Sequence, residues 1–257
     1  FISDNIFSGP TKWPRTKGIE SYCGTYMSGS GHVVCYNRFE YVGDGIHGTG
    51  RGNLSASDFH NNDLHVGTDD GFEADYSETN VRIYRNRIVN VAHGITAQPS
   101  QGGPLYFFRN VIYNATYSPF KLHNDTCGVF IFHNTCLRQG ACFNIQPASE
   151  TVTDIYTRNN LFLGTKDMGL FTTGRMTHCN FDSDGYGGFG GAFCIWNGKT
   201  FKTPAEAKAA GALYKDKGVI DVDPKTCFAS GLLPPADDAA TSQEQRVLTH
   251  HTVQAAS

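Results

Sequence analysis

An asparagine recurs along the chain at an almost fixed interval, and this repeat restricts the possible folds more than any other feature. Four segments each contain an apolar alternation, the asparagine, an apolar pair, a turn and a second short alternation. Their asparagines, spaced by 24, 24 and 26 residues, are Asn86, Asn110, Asn134 and Asn160. We expect Asn5 and Asn37 to fill the same position in earlier repeats, and Ser57 to fill it once.

A repeat of this length, with short strands and no helix between them, predicts that each unit is one coil of a solenoid. Asn side chains stacked at one turn can hydrogen-bond along the stack and to the turn backbone. The sequence therefore predicts an all-β fold, a right-handed single-stranded parallel β-helix of about six or seven coils over residues 1–182. A β-sandwich is the alternative, but it gives no reason for an Asn at one fixed phase.

The repeat fades after residue 182, so residues 183–257 are predicted to form an irregular cap on the end of the solenoid. Within them, TPAEAKAAGALYK predicts a short helix with Thr203 as its N-cap and Pro204 as its first residue. The N-terminus shows no comparable cap and starts at Phe1 rather than Met. We therefore expect the first coil to continue into further chain before Phe1.

The stretch GTDDGFEADYSE concentrates acidic residues in a chain that is otherwise poor in charge. Such carboxylates repel one another unless solvent, a shared proton, a cation or a basic group compensates. To place them, we align the coils on one inward apolar residue each, namely Ile19, Ile46, Phe72, Ile95, Phe120, Phe143 and Leu170. Neighbouring residues in a strand point to the opposite face, so the residue after each of these is predicted to point outward.

This alignment predicts a column of Glu73, Thr96 and Lys121 and a parallel column that contains Asp75 and His123. At a strand spacing of about 4.8 Å, Glu73 and Lys121 would lie about 10 Å apart. The alignment also sets Asp44 one coil below Asp70. A carboxylate cluster of this kind suits Ca²⁺, which binds six to eight oxygen ligands.

The same residues resemble secreted right-handed β-helix polysaccharide lyases, and locally the pectate lyases of polysaccharide lyase family 9. In that family a carboxylate from one coil and a DDG-x-D motif from the next hold Ca²⁺, and a Lys two coils later is the base. The matching stretches here are VGDGIHG, TDDGFE and SPFKLHN. The resemblance implies that Asp44, Asp69, Asp70 and Glu73 bind Ca²⁺, and that Lys121 is the base of a uronate lyase.

A β-elimination needs a base for the proton next to a uronate carboxylate and a cation to neutralise that carboxylate. Lys121 can be that base only if its pKa falls, through burial or nearby positive charge. We expect Ca²⁺, together with Arg85 or Arg109, to supply the charge, and His123 to be a further catalytic candidate. The expected substrate-binding residues are Thr96, Gln98, Arg109 and Gln146.

Two other functions are consistent with the same surface. A glycoside hydrolase needs only two carboxylates that flank a glycosidic bond, and Glu73 with Asp75 would serve without metal or lysine. A non-catalytic solenoid could instead be structural, or bind glycans through Gln98, Gln146, His123 and Tyr76. The catalytic and glycan-binding functions have a polysaccharide or oligosaccharide as their partner.

The composition restricts the partners and favours an extracellular location. A net charge of −3 argues against nucleic-acid binding, and no apolar run has the length of a membrane span. The chain has eight cysteines and no CxxC pair, which favours disulfides, with Cys23–Cys35 and Cys179–Cys194 expected because each pair spans one loop. Glycosylation sequons begin at Asn53, Asn114 and Asn124. We therefore expect a secreted protein.

Overall fold

The computed structural model describes residues 1–15, 20, 22–49, 53–145, 151–164, 175–211 and 220–236. In this part of the chain, parallel stacked strands form a β-solenoid of about six turns, with one short helix near the C-terminus. The structure thus confirms the predicted all-β parallel β-helix. A right-handed coil is the hand of nearly all parallel crossover connections.

The strands are short in most coils and longest in the middle of the solenoid. In chain order they are β1 (Ile2–Ser3), β2 (Ile6–Ser8), β3 (Thr25–Met27), β4 (Val33–Cys35), β5 (Arg38–Val42), β6 (Ile46–Gly48), β7 (Leu54–Ser55), β8 (Asp58–His60), β9 (Asp63–Glu73), β10 (Ser77–Thr79), β11 (Val81–Tyr84), β12 (Arg87–Ala97), β13 (Leu105–Phe108), β14 (Val111–Leu122), β15 (Cys127–Phe132), β16 (Thr135–Arg138), β17 (Phe143–Asn144), β18 (Thr151–Arg158), β19 (Leu161–Leu163), β20 (Arg175–Thr177), β21 (Asn180–Asp182), β22 (Gly185–Gly187), β23 (Cys194–Trp196), β24 (Lys199–Phe201) and β25 (Ile220–Asp221). The helix is α1 (Pro204–Ala209).

Two long parallel sheets run along the solenoid. The first has the order β1-β4-β8-β11-β13-β15-β18-β20, with β21 also paired to β18. The second has the order β2-β5-β9-β12-β14-β16-β19-β22-β25, with β6 joined to β9, β3 joined to β6 and β17 joined to β14. Every coil therefore contributes to both sheets, and the apolar side chains between them form the core.

The core confirms the predicted register of the second sheet. Ile46 pairs with Phe72, Phe72 with Ile95, Ile95 with Phe120 and Phe120 with Phe143, and all five side chains are fully buried. Ile19 and Leu170, which we expected in the same stack, lie outside the described residues. Thr25 pairs with Ile46 and so occupies the position below it.

A ladder of side-chain amides runs through one turn of the coils. In each rung, the carbonyl oxygen of one side chain accepts from the backbone N–H and the side-chain amide of the rung before it, as Asn110 Oδ1 does from Asn86 N and Nδ2 at 3.1 Å. The rungs are Asn5, Asn37, Asn62, Asn86, Asn110, Asn134, Asn160 and Asp184. The inward Asn side chains therefore satisfy the buried turn backbone, as predicted.

The ladder differs from the expectation at two places. Ser57 is not a rung; its hydroxyl donates to Ser55 O at 2.7 Å and accepts from His32 N at 3.2 Å, which places it at a different turn. Asn62 fills that rung. The last rung is Asp184, whose Oδ1 accepts from Asn160 N at 2.9 Å and Asn160 Nδ2 at 2.8 Å.

A second, shorter amide ladder lies within the second sheet and was not predicted. Asn114 Nδ2 donates to Asn90 Oδ1 at 2.8 Å, and Gln139 Nε2 donates to Asn114 Oδ1 at 2.8 Å. Asn114 is fully buried, so the sequon that begins there is closed to glycosylation in the folded chain.

The C-terminal part contains the expected helix. Thr203 caps α1 by accepting from Glu206 N at 3.1 Å, and Pro204 is the first residue. Strand pairing continues beyond residue 182, because β22 pairs with β19 and β25 pairs with β22. Among the described residues, no helix has the length and apolar content needed to cross a bilayer.

The disulfide prediction is wrong. All eight cysteines lie in the described part of the chain, and all are free thiols. Cys35 is buried on β4 of the first sheet, whereas Cys23 lies beside Asp44 of the second sheet, with Sγ 3.3 Å from Asp44 Oδ2. In the second pair, the Cys179 thiol donates to backbone carbonyl oxygens, whereas Cys194 is buried on β23. Proximity along one loop did not bring either pair together.

Candidate functional site

Three long neighbouring strands, β9, β12 and β14, carry the candidate site. Val91 of β12 pairs with Gly67 of β9, whereas His93 pairs with Asp70, so β9 has one extra residue in this stretch. Such a β-bulge interrupts the alternation of side-chain directions. It frees Asp69 and Asp70 from the requirement to point to opposite faces. β14 carries an extra residue at the same place.

The predicted outward column has the expected register. Glu73 pairs with Thr96, Thr96 with Lys121 and Lys121 with Asn144. We expected this column on an open surface, but Glu73, Thr96 and Lys121 are all buried. The N-terminal segment lies against the same group of strands, because Arg15 donates to Thr68 O on β9 at 2.9 Å and to the Tyr117 hydroxyl on β14 at 2.5 Å. The side chains of this column are therefore buried rather than open to solvent.

A buried ion pair lies at the centre of the site. Lys121 Nζ is 2.5 Å from Asp70 Oδ2, and the exposed fractions of the two residues are 8% and 0%. The other oxygen, Asp70 Oδ1, is buried and has no hydrogen-bond partner among the described residues. The backbone N–H of Asp70 donates to Asp44 Oδ1 at 2.9 Å, which confirms that Asp44 sits one coil below.

Three of the four predicted metal ligands come together. Oxygens of Asp44, Asp70 and Glu73 all lie within 4.8 Å of one another, and all three side chains are buried. Asp69 is not a member of this group, although it is close enough for the charges of Asp44 and Lys121 to act on it. The structure thus provides a carboxylate cluster in which Asp70 Oδ1 has no hydrogen-bond partner in the described part of the chain.

Other predicted site residues have local partners. Thr96 Oγ1 donates to Asp75 Oδ1 at 3.0 Å, and both are buried. Nε2 of His123 is 3.3 Å from Asn144 Oδ1, one coil further on. Gln98 is half-buried just beyond the end of β12.

One of the predicted substrate-binding residues lies away from the cluster, and another is outside the described residues. Arg109 is an exposed turn residue with a φ of 57°, directly before ladder residue Asn110, whereas Lys121 lies at the far end of the strand that follows. Arg109 shares this turn position with Arg85 and His133, which have φ values of 55° and 56°. Gln146 lies outside the described residues.

Sequence reasoning missed Arg15, Tyr117 and His93. The Arg15 guanidinium lies 5.0 Å from the centre of the Tyr117 ring, and the His93 ring lies 5.4 Å from it. His93 Nδ1 is 2.8 Å from Ser118 Oγ, and that hydroxyl donates to Phe120 O at 3.0 Å. Because the hydroxyl has only one hydrogen, Nδ1 of His93 is the donor in their contact. The alignment could have found His93, which takes the position of Asp70 in the next coil, but nothing local marks Arg15.

A second group of side chains surrounds Asp44. His47 Nδ1 lies 3.6 Å from Asp44 Oδ2 and in direct contact with Glu73 Oε2. Hydrogen bonds to Asp44, Cys23 and Glu73 raise the pKa of His47 to about 12, so its ring is an imidazolium at neutral pH. This cation compensates part of the negative charge of the cluster.

Burial and mutual repulsion govern the protonation of the carboxylates. Burial, followed by the charge of Asp44, raises the pKa of Asp69 to about 6. Burial and the charge of Glu73 also raise the pKa of Asp75 well above its usual range. The repulsion between the carboxylates is therefore reduced in two ways. Some carboxyl groups retain a proton, and the Lys121 ammonium and the His47 imidazolium supply positive charge.

Burial by itself lowers the pKa of Lys121, but the charge and hydrogen bond of Asp70, with the charges of Asp69 and Asp75, outweigh it. The pKa of Lys121 consequently lies above its ordinary value, and the side chain is an ammonium ion. In contrast, burial followed by the Lys121 charge lowers the pKa of His93 well below its ordinary value, so His93 is neutral.

Comparison of the chain with protein-family models, with curated proteins and with solved structures finds no match. The functional argument therefore depends on the geometry and chemistry of the site.

Proposed function

We propose that this protein is a Ca²⁺-dependent polysaccharide lyase that cleaves a uronate-containing polymer by β-elimination. The observation that carries the proposal is the Lys121 ammonium held on Asp70 within the buried cluster of Asp44, Asp70 and Glu73. The basic nitrogen of Lys121 therefore lies beside a set of oxygen ligands. Elimination next to a carboxylate requires these two components together.

The cluster fits a calcium ion. Its donors are all carboxylate oxygens, which a hard cation prefers, and Asp70 Oδ1 is a buried acceptor without a hydrogen-bond partner in the described residues. Asp44, Asp70 and Glu73 would hold the ion, with Asp69 as the fourth carboxylate. When bound, Ca²⁺ would supply positive charge that neutralises the substrate carboxylate and makes the neighbouring proton more acidic.

In the reaction, the neutral amine of Lys121 takes the proton from the carbon next to the uronate carboxylate. The electron pair of that C–H bond forms a C=C bond, the glycosidic C–O bond breaks, and the leaving oxygen takes up a proton from water. Lys121 must first lose its own proton, which the carboxylates now hold in place. A bound cation that engages Asp70 would weaken this hold, so base strength and metal binding are coupled.

The half-buried Arg15 is the residue best placed to bind the substrate carboxylate, in place of Arg109. Its guanidinium already spans two coils through Thr68 and Tyr117, and its charge acts on Asp69. Planar guanidinium groups pair with carboxylates in a two-pronged geometry. We also propose that the protein is secreted, since a polymer of this kind is an extracellular substrate.

The sharpest test is Lys121→Arg. Arginine keeps the positive charge beside Asp70, but it does not lose its proton in proteins and so cannot be the base. Loss of a general base lowers turnover by about 10²–10⁴-fold. We expect that loss in the ultraviolet absorbance of the unsaturated product, measured on a panel of uronate polymers with Ca²⁺ present.

Two readouts show whether the variant has lost the base alone. Its melting temperature should rise on addition of Ca²⁺ as in the wild type, because the carboxylates are unchanged. The matched control is Lys199→Arg at an exposed lysine of β24, which should retain full activity. Undiminished elimination by Lys121→Arg would refute the assignment of the base.

A hydrolase is the second candidate, favoured by one observation. The pKa of Asp75 is raised by burial and by the Glu73 charge, as the acid of a glycoside hydrolase requires. This reading predicts saturated products, full activity in chelator and loss of activity in Asp75→Asn. Chelator-resistant release of saturated sugars would replace the lyase proposal.

A further inference from the structure

One cluster beside the carboxylates contains donors that calcium does not prefer. Cys23 Sγ, a carboxylate oxygen of Asp44 and a ring nitrogen of His47 all lie within 4.8 Å of one another. Asp44 Oδ2 is the common neighbour, at 3.3 Å from Cys23 Sγ and 3.6 Å from His47 Nδ1. Glu73 Oε2, on a buried side chain, is in contact with the same ring nitrogen.

The backbone holds these donors in place. Gly24 N donates to Asp44 O at 2.8 Å, which ties the residue after Cys23 to the next coil. A Cβ on Gly24 would lie 2.5 Å from Gly45 O, so only glycine permits this close approach. His47 lies on β6, which pairs with β3 just after Cys23. The three donors therefore come from two adjacent coils in fixed register.

The donor types select the ion. Sulfur and imidazole ligands suit Zn²⁺ and related transition-metal ions, whereas Ca²⁺ takes oxygen ligands. One Cys, one His and one carboxylate, with Glu73 or water in the fourth position, match a four-coordinate zinc site. The His47 side chain is 31% exposed and Cys23 is half-buried, so an ion can enter from solvent.

We propose that Cys23, Asp44 and His47 form a binding site for a transition-metal ion of the Zn²⁺ class. Binding displaces the thiol proton of Cys23 and the proton on Nδ1 of His47 to solvent. Asp44 is also a ligand in the calcium cluster, so the two ions compete for it. That competition rests on the proposed function, but Zn²⁺ binding itself does not.

Cobalt is the probe for this site, because a Co²⁺–thiolate bond gives a near-ultraviolet charge-transfer absorption. Reduced, chelator-treated full-length protein should develop this absorption on titration with Co²⁺ and lose it when Zn²⁺ is added. Cys23→Ser and Cys23→Ala should both abolish the absorption, and His47→Gln should weaken Zn²⁺ binding at least tenfold in calorimetry. Two substitutions at Cys23 separate loss of the sulfur from local misfolding, which the melting temperature checks.

The matched control is Cys127→Ser at another half-buried cysteine, whose Sγ is 3.8 Å from Ser100 O, on the other sheet. This variant should bind Co²⁺ as the wild type does. Absence of the absorption in the wild type, or its persistence in both Cys23 variants, would overturn the proposal. If Ca²⁺ changed neither the melting temperature nor the activity while the cobalt absorption was still observed, only the lyase proposal would be refuted.

Discussion

Replacement of the last rung of the amide ladder, Asp184→Asn, should stabilise the protein in a strongly pH-dependent way. Asp184 is fully buried, and burial raises its pKa to about 6 against hydrogen bonds from Thr157 and Asn160 that lower it. An asparagine keeps the acceptor oxygen for both donors of Asn160 and removes the buried charge. It also continues the pattern of the rungs before it.

The size of the effect follows from the shift of about 2 pKa units between this value and an ordinary aspartate, at 1.36 kcal/mol per unit. A carboxyl group whose pKa is higher in the folded chain than in the unfolded chain stabilises the fold at pH values below its unfolded pKa, which is about 4. This stabilisation is lost as the pH rises through the folded pKa of about 6. Between these two pH values, the unfolding free energy of the wild type should therefore fall by about 3 kcal/mol relative to that of the variant. In melting temperature this is roughly 6–12 °C for a domain of this size.

The assay is urea unfolding of both proteins at pH 3.5 and at pH 7.5, with the difference in unfolding free energy compared between the two conditions. Other titrating groups cancel in this difference. Asp4→Asn is the matched control, because it removes the same charge from an exposed residue with positive φ that Asn tolerates. A difference that stays constant with pH, or a variant less stable at pH 7.5, would refute the reasoning.

Two further predictions concern the ladder and the substrate. Asn110→Ala leaves Asn86 N, Asn86 Nδ2 and Ile83 O without partners, and should lower the unfolding free energy by about 2–4 kcal/mol in urea. The exposed Asn159→Gly, at a φ of 55°, is its control. Arg15→Gln should raise KM for a uronate polymer roughly tenfold with little change in kcat, since it removes a charged hydrogen bond to substrate. An unchanged KM would exclude Arg15 from substrate binding.

The solenoid and the register of its central coils could be predicted from the amino-acid sequence. The spacing of Asn86, Asn110 and Asn134 is a one-dimensional signal, and each coil contacts mainly its neighbours, so a period along the chain becomes a stack in space. Aligning Phe72, Ile95 and Phe120 then fixed which residues share a column, because side chains alternate with period two. Asn62 and Asp184 obey the same spacing and could have been found by it.

The burial of the site and the distant residues that complete it could not be predicted from the sequence. Bulges in β9 and β14 change the directions of the side chains around Asp69. The position of a bulge is not marked by any repeating pattern in the sequence. Arg15 reaches Tyr117 from 102 positions away, and Cys23 meets Asp44 rather than Cys35. These contacts depend on how the N-terminal segment lies across the stacked coils, and no repeat or local pattern encodes that path.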